Sequence, residues 1–211
     1  METFKEYYAD YEVLERSLSP EANRDQVFKA GEGAGRSGSF FFFSHDNKFI
    51  IKTISKSELD TFLKMLPALA EHYKNNPDCL IVKTFGAFTV KTDSTDEVHL
   101  VLMENTLQLK HQKGLQYIFD LKGSLVDRKT KGKITASTTL KDQNFLMAVE
   151  ASPSFIRLGS EEIRKRLLNV VKSDVDFLAG LGFMDYSLLI GIEKLASEDL
   201  ENCGNSPEKV H

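Results

Sequence analysis

Three clusters in this sequence carry residue types that could do chemistry. The first is Gly35-Arg-Ser-Gly-Ser39, followed 13 residues later by Lys52. Glycines let backbone N–H groups approach phosphates and a strand lysine neutralises their charge, so the pattern could hold a nucleoside triphosphate. Lys52 lies among Phe49, Ile50, Ile51 and Ile54, and a lysine turned to a sheet's inner side needs an anion; Glu58, early in the next helix, could supply it. Plain hairpins share this pattern, so these residues alone leave both readings open. The second cluster is Asp120-Leu-Lys-Gly-Ser124 with Arg128, where Lys122 and Arg128 could reach phosphate oxygens or simply decorate a charged turn. The third is Met184-Asp-Tyr-Ser187, in which Asp185 is either a capping acid or a catalytic one.

The elements that must position these residues show in the pattern. Phe4, Tyr7, Tyr8, Tyr11 and Leu14 make one helical stripe over residues 1–19, with Pro20 as a stop, and this helix docks on its own chain or on a partner. From Asp25 the texture is β-like: Asp25 to Ala30, Phe40 to Phe43, a turn at His45-Asp46-Asn47, and Lys48 to Ile54. A helix over 57–73 follows, with Leu59, Phe62, Leu63, Leu66, Leu69, Ala70 and Tyr73 on one face and a kink at Pro67. The runs Cys79 to Val90 and Val98 to Met103 read as strands completing an antiparallel sheet with that helix packed across it. A strand is expected from Leu115 to Leu121. A helix is expected from Glu161 to Leu181, capped by Ser160, ended at Gly182 and buried through Ile163, Leu167, Val170, Phe177, Leu178 and Leu181. Ser187 to Ile192 reads as a short buried strand, and the acidic stretch from Glu193 to His211 as a loose tail.

Composition bounds the function. With 211 residues, 41% hydrophobic and 15 Phe, the chain can bury a substantial core. Its net charge of -4 argues against a general nucleic-acid binder, yet Lys110 to Lys133 holds seven Lys or Arg against two Asp, a local +5. Cys79 and Cys203 match neither a disulfide framework nor a metal spacing, which leads to an expected cytoplasmic location. The N-terminus lacks the apolar core of a secretory signal, and no run approaches the ~20 apolar residues that span a bilayer, so membrane contact is expected to be peripheral.

Taken in order, Gly-Arg-Ser-Gly-Ser-Phe-Phe-Phe-Phe, Lys-Phe-Ile-Ile-Lys-Thr-Ile, Ile-Phe-Asp-Leu-Lys-Gly-Ser with Arg128, Thr-Thr-Leu-Lys-Asp142 and Phe-Met-Asp-Tyr-Ser-Leu-Leu-Ile-Gly191 resemble the phosphatidylinositol phosphate kinase family across about residues 27 to 193. Ser152 to Leu181 also resembles the branch that makes the 3,5-bisphosphate. The resemblance implies an α+β, two-lobed fold with an antiparallel sheet and packed helix in the N-lobe and an incomplete C-lobe. It implies that Gly35, Ser37, Gly38 and Ser39 cover the ATP phosphates, that Lys52 contacts them while paired with Glu58, and that Met103, Glu104, Asn105 and Thr106 form the adenine-side hinge. Lys122 and Arg128 would face the transferring phosphate or the inositide headgroup, and Asp185 would be the acid near the attacking hydroxyl. The implied cofactors are ATP and Mg, and the implied partners are a phosphoinositide or anionic membrane surface.

The expected organisation is an N-terminal amphipathic helix at 1–24, an N-lobe at 25–106, a partial C-lobe at 107–193 and a tail at 194–211. The family continues into an Ile-Ile-Asp strand whose aspartate binds magnesium, then into an activation loop. These 211 residues contain neither, so the metal ligand is unassigned and weak or absent lipid kinase activity is expected. The alternative is a pseudokinase serving as an assembly subunit, with a protein partner or second copy covering the incomplete lobe.

Overall fold

A computed structural model describes residues 11–24, 31–32, 39–107, 115–135, 138–152, 155–156 and 159–193. The expectations for Phe4, Tyr7, Tyr8, the strand at 25–30, Gly35, Ser37, Gly38 and the tail from 194 lie outside them. The chain divides into two compact units, with the boundary between Thr106 and Leu107.

The first unit opens with α1 (Tyr11–Ser17) and α2 (Pro20–Asn23). The first helix ends before Pro20, as expected, and Pro20 opens the second. At the first helical position its missing N–H breaks no bond, and the Ser19 hydroxyl accepts from the Ala22 N–H at 3.1 Å. Asn23 folds back, its amide nitrogen donating to the Ser17 and Ser19 carbonyls at 2.9 and 2.8 Å. Its side-chain oxygen accepts from the His45 N–H at 2.9 Å.

A five-stranded sheet follows, formed by β1 (Gly31–Glu32), β2 (Phe40–Phe43), β3 (Phe49–Ile54), β4 (Thr84–Thr92) and β5 (Thr95–Glu104), in the order β1-β2-β3-β5-β4 and antiparallel throughout. The sequence expectation began the fourth strand at Cys79, but the chain is irregular there until Thr84. The β2–β3 turn is built around Asp46. One of its oxygens accepts from the Ser44 hydroxyl at 2.7 Å and the Lys48 N–H at 3.2 Å; the other accepts from the buried Ser17 hydroxyl at 2.6 Å. Burial pushes the Asp46 pKa up, but the Ser17, Ser44 and Lys48 interactions outweigh it and hold the carboxyl below its ordinary range. Asn47 takes the left-handed conformation that closes the turn, with φ 57°.

Between β3 and β4 runs α3 (Lys56–Asn75). Ser55 and Glu58 form a capping box: Ser55 accepts from the Glu58 N–H at 3.2 Å, and Glu58 accepts from the Ser55 N–H at 2.7 Å. The helix runs on through Pro67, as the apolar spacing predicted. Pro67 has no N–H to give, so the Leu63 carbonyl loses its i+4 donor there. Its buried face is also narrower than the apolar pattern: Leu59, Leu69 and His72 are buried, whereas Leu63 and Leu66 face solvent. Phe49, Val101 and Leu102 complete the unit's core, and Phe49 meets Phe85 edge to face at 5.1 Å.

The second unit holds a three-stranded mixed sheet of β6 (Leu115–Leu121), β7 (Thr139–Leu140) and β8 (Leu188–Glu193), in the order β7-β6-β8, with β7 parallel and β8 antiparallel to β6. Glu193, read as the start of a tail, closes β8 opposite Leu115. Phe119 on β6 is fully buried against Phe145 and Phe155, at 5.2 and 6.0 Å between ring centroids. Two helices accompany the sheet, α4 (Asp142–Ala151) and α5 (Glu161–Gly180). As expected, Ser160 caps α5, accepting from Ile163 at 3.2 Å, and Gly182 ends it at φ 75°. Two expectations fail. Ile163 and Leu181 on the α5 stripe stay exposed, as do Leu188 and Leu189 of the strand read as buried. The periodicity marked the apolar face correctly but not how much of it would be covered.

The α1–α2 arm is fixed to the sheet of its own unit through Asp46 and Asn23. Ser17→Ala should therefore cost about 1–2 kcal/mol of stability by urea unfolding, and amide exchange should rise across residues 11–24 first.

Candidate functional site

In the second unit, the β6–β8 register pairs Asp120 with Leu189 and Leu121 with Leu188, so the chain leaving β6 lies beside the chain entering β8. Lys122 is the first residue after β6, and Asp185 sits three residues before β8. Their side chains meet: Lys122 Nζ donates to Asp185 Oδ1 at 3.2 Å. Asp185 is 91% exposed and adopts the left-handed conformation, φ 64°. Two of the three residues expected to carry catalysis are thus brought into contact, 63 positions apart in the chain.

The third, Arg128, has a different position from the one the resemblance implied. Its side chain is nearly buried and taken up by acids. Nε donates to Asp142 Oδ2 at 2.8 Å, while Nη2 donates to the Asp120 carbonyl and lies 3.3 Å from Asp120 Oδ1, a charge contact without hydrogen-bond geometry. The Asp142 hydrogen bond leads the effects that raise the Arg128 pKa. Arg128 therefore holds the loop in place, with its fork turned inward.

Asp142, which ends the Thr-Thr-Leu-Lys-Asp142 motif but was given no role there, is what holds this loop. It is buried, begins α4, and accepts from the backbone N–H groups of Lys122 and Gly123, both at 2.9 Å, as well as from Arg128. Burial pushes its pKa up, but the Arg128 hydrogen bond and the backbone donors bring it below the ordinary carboxylate value. Gly123 takes φ 69°, a conformation a side chain would strain, and this turns two successive N–H groups toward one oxygen. Asn144 repeats the device one turn along: its Oδ1 accepts from Thr130 N at 2.8 Å and its Nδ2 donates to Thr130 O at 3.2 Å.

In the first unit, Lys52 lies on β3 opposite Phe41, and its Nζ sits 5.7 Å from that ring's centroid. The expected direct pair with Glu58 is not formed, because the Glu58 carboxylate serves the Ser55 cap. The Ser55 hydrogen bonds lead in lowering the Glu58 pKa, and the charge of Lys52 contributes after them. Ser39 is buried just before β2. Met103 and Glu104 end β5, while Asn105 binds the β2–β3 turn, its N–H donating to Lys48 O at 2.8 Å and its Nδ2 to Asn47 O at 2.7 Å. Thr106 follows, exposed at the unit's boundary.

Comparison with known proteins agrees with these motifs. The family model for Phosphatidylinositol-4-phosphate 5-Kinase matches residues 22–211. The chain belongs to the phosphatidylinositol phosphate kinase family. It is 41% identical over 175 residues to a probable phosphatidylinositol phosphate kinase of Dictyostelium discoideum, covering 79% of this chain and 23% of that protein. It is 36% identical over 183 residues to phosphatidylinositol 4-phosphate 5-kinase its3 of Schizosaccharomyces pombe, covering 85% of this chain and 24% of that one. Phosphatidylinositol 4-phosphate 5-kinase 8 of Arabidopsis thaliana is 37% identical over 180 residues, 83% of this chain and 22% of the relative. The chain therefore spans about a quarter of the length of the curated relatives it matches. No described helix is long and apolar enough to cross a membrane.

The described residues of this family member fit an anionic cofactor. Lys52 has no ion pair among the described residues, so its charge is available to a phosphate. Asp185 gives Lys122 one oxygen, and the other has no hydrogen-bond partner among the described residues.

The Asp142 network makes a stability prediction with a definite sign. Its folded pKa is depressed, so its contribution is present above the ordinary value of 3.8 and is lost as pH falls through the lower folded value. Asp142→Asn should cost about 3–5 kcal/mol at neutral pH and flatten the acid limb of the stability profile, read by urea unfolding across pH.

Proposed function

We propose that the chain carries the ATP-side and acceptor-side residues of a lipid kinase that transfers the γ-phosphate of ATP to an inositol hydroxyl of a phosphatidylinositol monophosphate. The observation behind this is the Lys122–Asp185 pair, held by an internal brace and open to solvent on the Asp185 side. Names of relatives support a 4-phosphate acceptor and transfer to the 5-position. ATP would enter as its magnesium complex, the ion screening the triphosphate charge.

In this reading Lys52 and Ser39, with Gly35, Ser37 and Gly38, hold the phosphates, and Met103, Glu104, Asn105 and Thr106 border the adenine. Glu58 acts at one remove, its charge kept low in pKa by Ser55 and so balancing Lys52 electrostatically without binding it. Lys122 directs its ammonium at the transferring phosphate or the headgroup. Asp185, drawn to Lys122 in the resting protein, exchanges that contact for the acceptor hydroxyl and takes its proton as the hydroxyl oxygen attacks phosphorus. Arg128 is a positioning residue that holds the loop bearing Lys122. The acceptor lies in a bilayer, so the protein works at an anionic membrane surface, and the cytoplasmic face is the location this implies.

The test measures transfer from radiolabelled MgATP to phosphatidylinositol 4-phosphate in vesicles, alongside ATP-induced thermal stabilisation. Asp185→Asn should cut kcat about 10²–10⁴-fold with ATP stabilisation intact, whereas Lys52→Met should remove both. ATP stabilisation without turnover would favour a nucleotide-binding pseudokinase; absence of both would overturn the proposal.

A further inference from the structure

The loop that carries Lys122 also holds two apolar side chains out in water. Val126 is 78% and Leu125 54% exposed, and Ile134 further along the same segment is half exposed. Exposed aliphatics in a pliable loop could fold back on the protein, but this loop is braced at both ends and in the middle. Asp142 binds the N–H groups of Lys122 and Gly123. The Gln143 side chain donates to the Leu125 carbonyl at 2.6 Å, and its backbone N–H donates to the Arg128 carbonyl at 3.0 Å. Asn144 clamps Thr130 from both sides. Three consecutive residues at the start of α4 thus fix the path from 122 to 130. Left-handed residues at Gly123, φ 69°, and Asp127, φ 55°, bracket the apolar tip. Asp127 accepts that conformation at a cost of about 1 kcal/mol.

The charges around the tip are one-sided. Arg128 is consumed by Asp120 and Asp142, and Lys122 by Asp185. Lys129, Lys131 and Lys133 are exposed and form no ion pair among the described residues, against one acid, Asp127. Met184, beside the aspartate that holds Lys122, adds another apolar side chain, 85% exposed. Residues 122–135 contain no aromatic, and their arginine is buried, so the anchors that dominate protein–protein interfaces are absent from this segment. Adjacent aliphatics flanked by unpaired lysines match the boundary of an anionic bilayer, where the acyl region takes the apolar tips and the headgroups take the ammonium groups.

We infer that Leu125 and Val126 form an apolar wedge that inserts into an anionic lipid surface, with Lys129, Lys131 and Lys133 on its headgroups. The inference deepens the lipid-kinase reading and rests on it for one consequence: insertion would bring Lys122 and Asp185 to the level at which an inositol headgroup stands. The wedge itself needs neither ATP nor turnover.

The chain contains no Trp, so Val126→Trp introduces a single indole reporter at the tip. Mixed with vesicles of phosphatidylcholine and phosphatidylserine, this variant should show a blue-shifted emission that brominated lipids quench, while phosphatidylcholine alone should give little change. In co-sedimentation of the full chain, Leu125→Ser/Val126→Ser should weaken partitioning about tenfold while keeping its salt dependence. Lys129→Ala/Lys131→Ala/Lys133→Ala should instead weaken binding and flatten the salt dependence. Equal thermal midpoints for the variants and the parent protein would show that folding is unaffected. The inference is overturned if the serine double variant partitions like the parent, if the indole stays in water on bound vesicles, or if the parent ignores anionic vesicles at low salt; the last result would favour an acidic protein partner. Wedge-dependent binding without phosphate transfer would sink the kinase reading and leave the wedge standing.

Discussion

The second unit depends on how one buried carboxylate is kept charged. Removing Asp142 from water is costly, and the cost is offset only if donors surround it. Two backbone N–H groups and the Arg128 guanidinium meet that demand, and all three come from the segment after β6. The chain that follows β6 is therefore set by electrostatics more than by apolar packing. Because Lys122 supplies one of the N–H groups, its side chain leaves the loop in a fixed direction, toward Asp185. Arg128, which looks from its type like a phosphate ligand, is the counter-charge that makes the buried acid tolerable.

The first unit solves a turn in the same way on a smaller scale. Asp46 gathers the Ser17 and Ser44 hydroxyls and the Lys48 N–H, and so ties the α1–α2 arm to the hairpin whose strands carry Ser39's neighbours and Lys52. Asn105 then fastens the end of β5 to that turn. Strand pairing sets which residues lie opposite each other, here Phe41 and Lys52. The polar ties keep the ends of those strands from fraying.

What could be read from the sequence follows the range of the physics involved. Strands β2, β3, β5 and β6 and helices α3 and α5 announce themselves, because periodicity and caps act over a few residues: the apolar stripe of α3, Ser160 with Glu161, Gly182 after the last turn. The motif residues Lys122 and Asp185 were legible as chemistry, but their contact was not, since it depends on a β6–β8 register set far along the chain. Asp142 was visible as part of a motif, but its bracing role stayed hidden for a related reason. It stands at the start of α4, whose Asn144, Phe145 and Leu146 give a weak stripe, and just after β7, which is two residues long and gives no alternation to count. For Arg128, residue type reports what a guanidinium can bind, whereas its contacts with Asp120 and Asp142 were not readable from the spacing.

Asp185 is hard to explain by stability. An aspartate at φ 64° is strained relative to glycine, and an ion pair with one partner 91% exposed is screened and contributes little. The carboxylate caps no helix, while Gly182 already ends α5 by donating to the Ala179 carbonyl at 2.9 Å. A chain selected only to fold would place glycine or asparagine here. The local strain is retained at the point where Lys122, itself aimed by the Asp142 brace, presents its charge. Strain that the rest of the structure offsets, located beside a positioned cation and open to solvent, is what a site for a charged, incoming substrate requires.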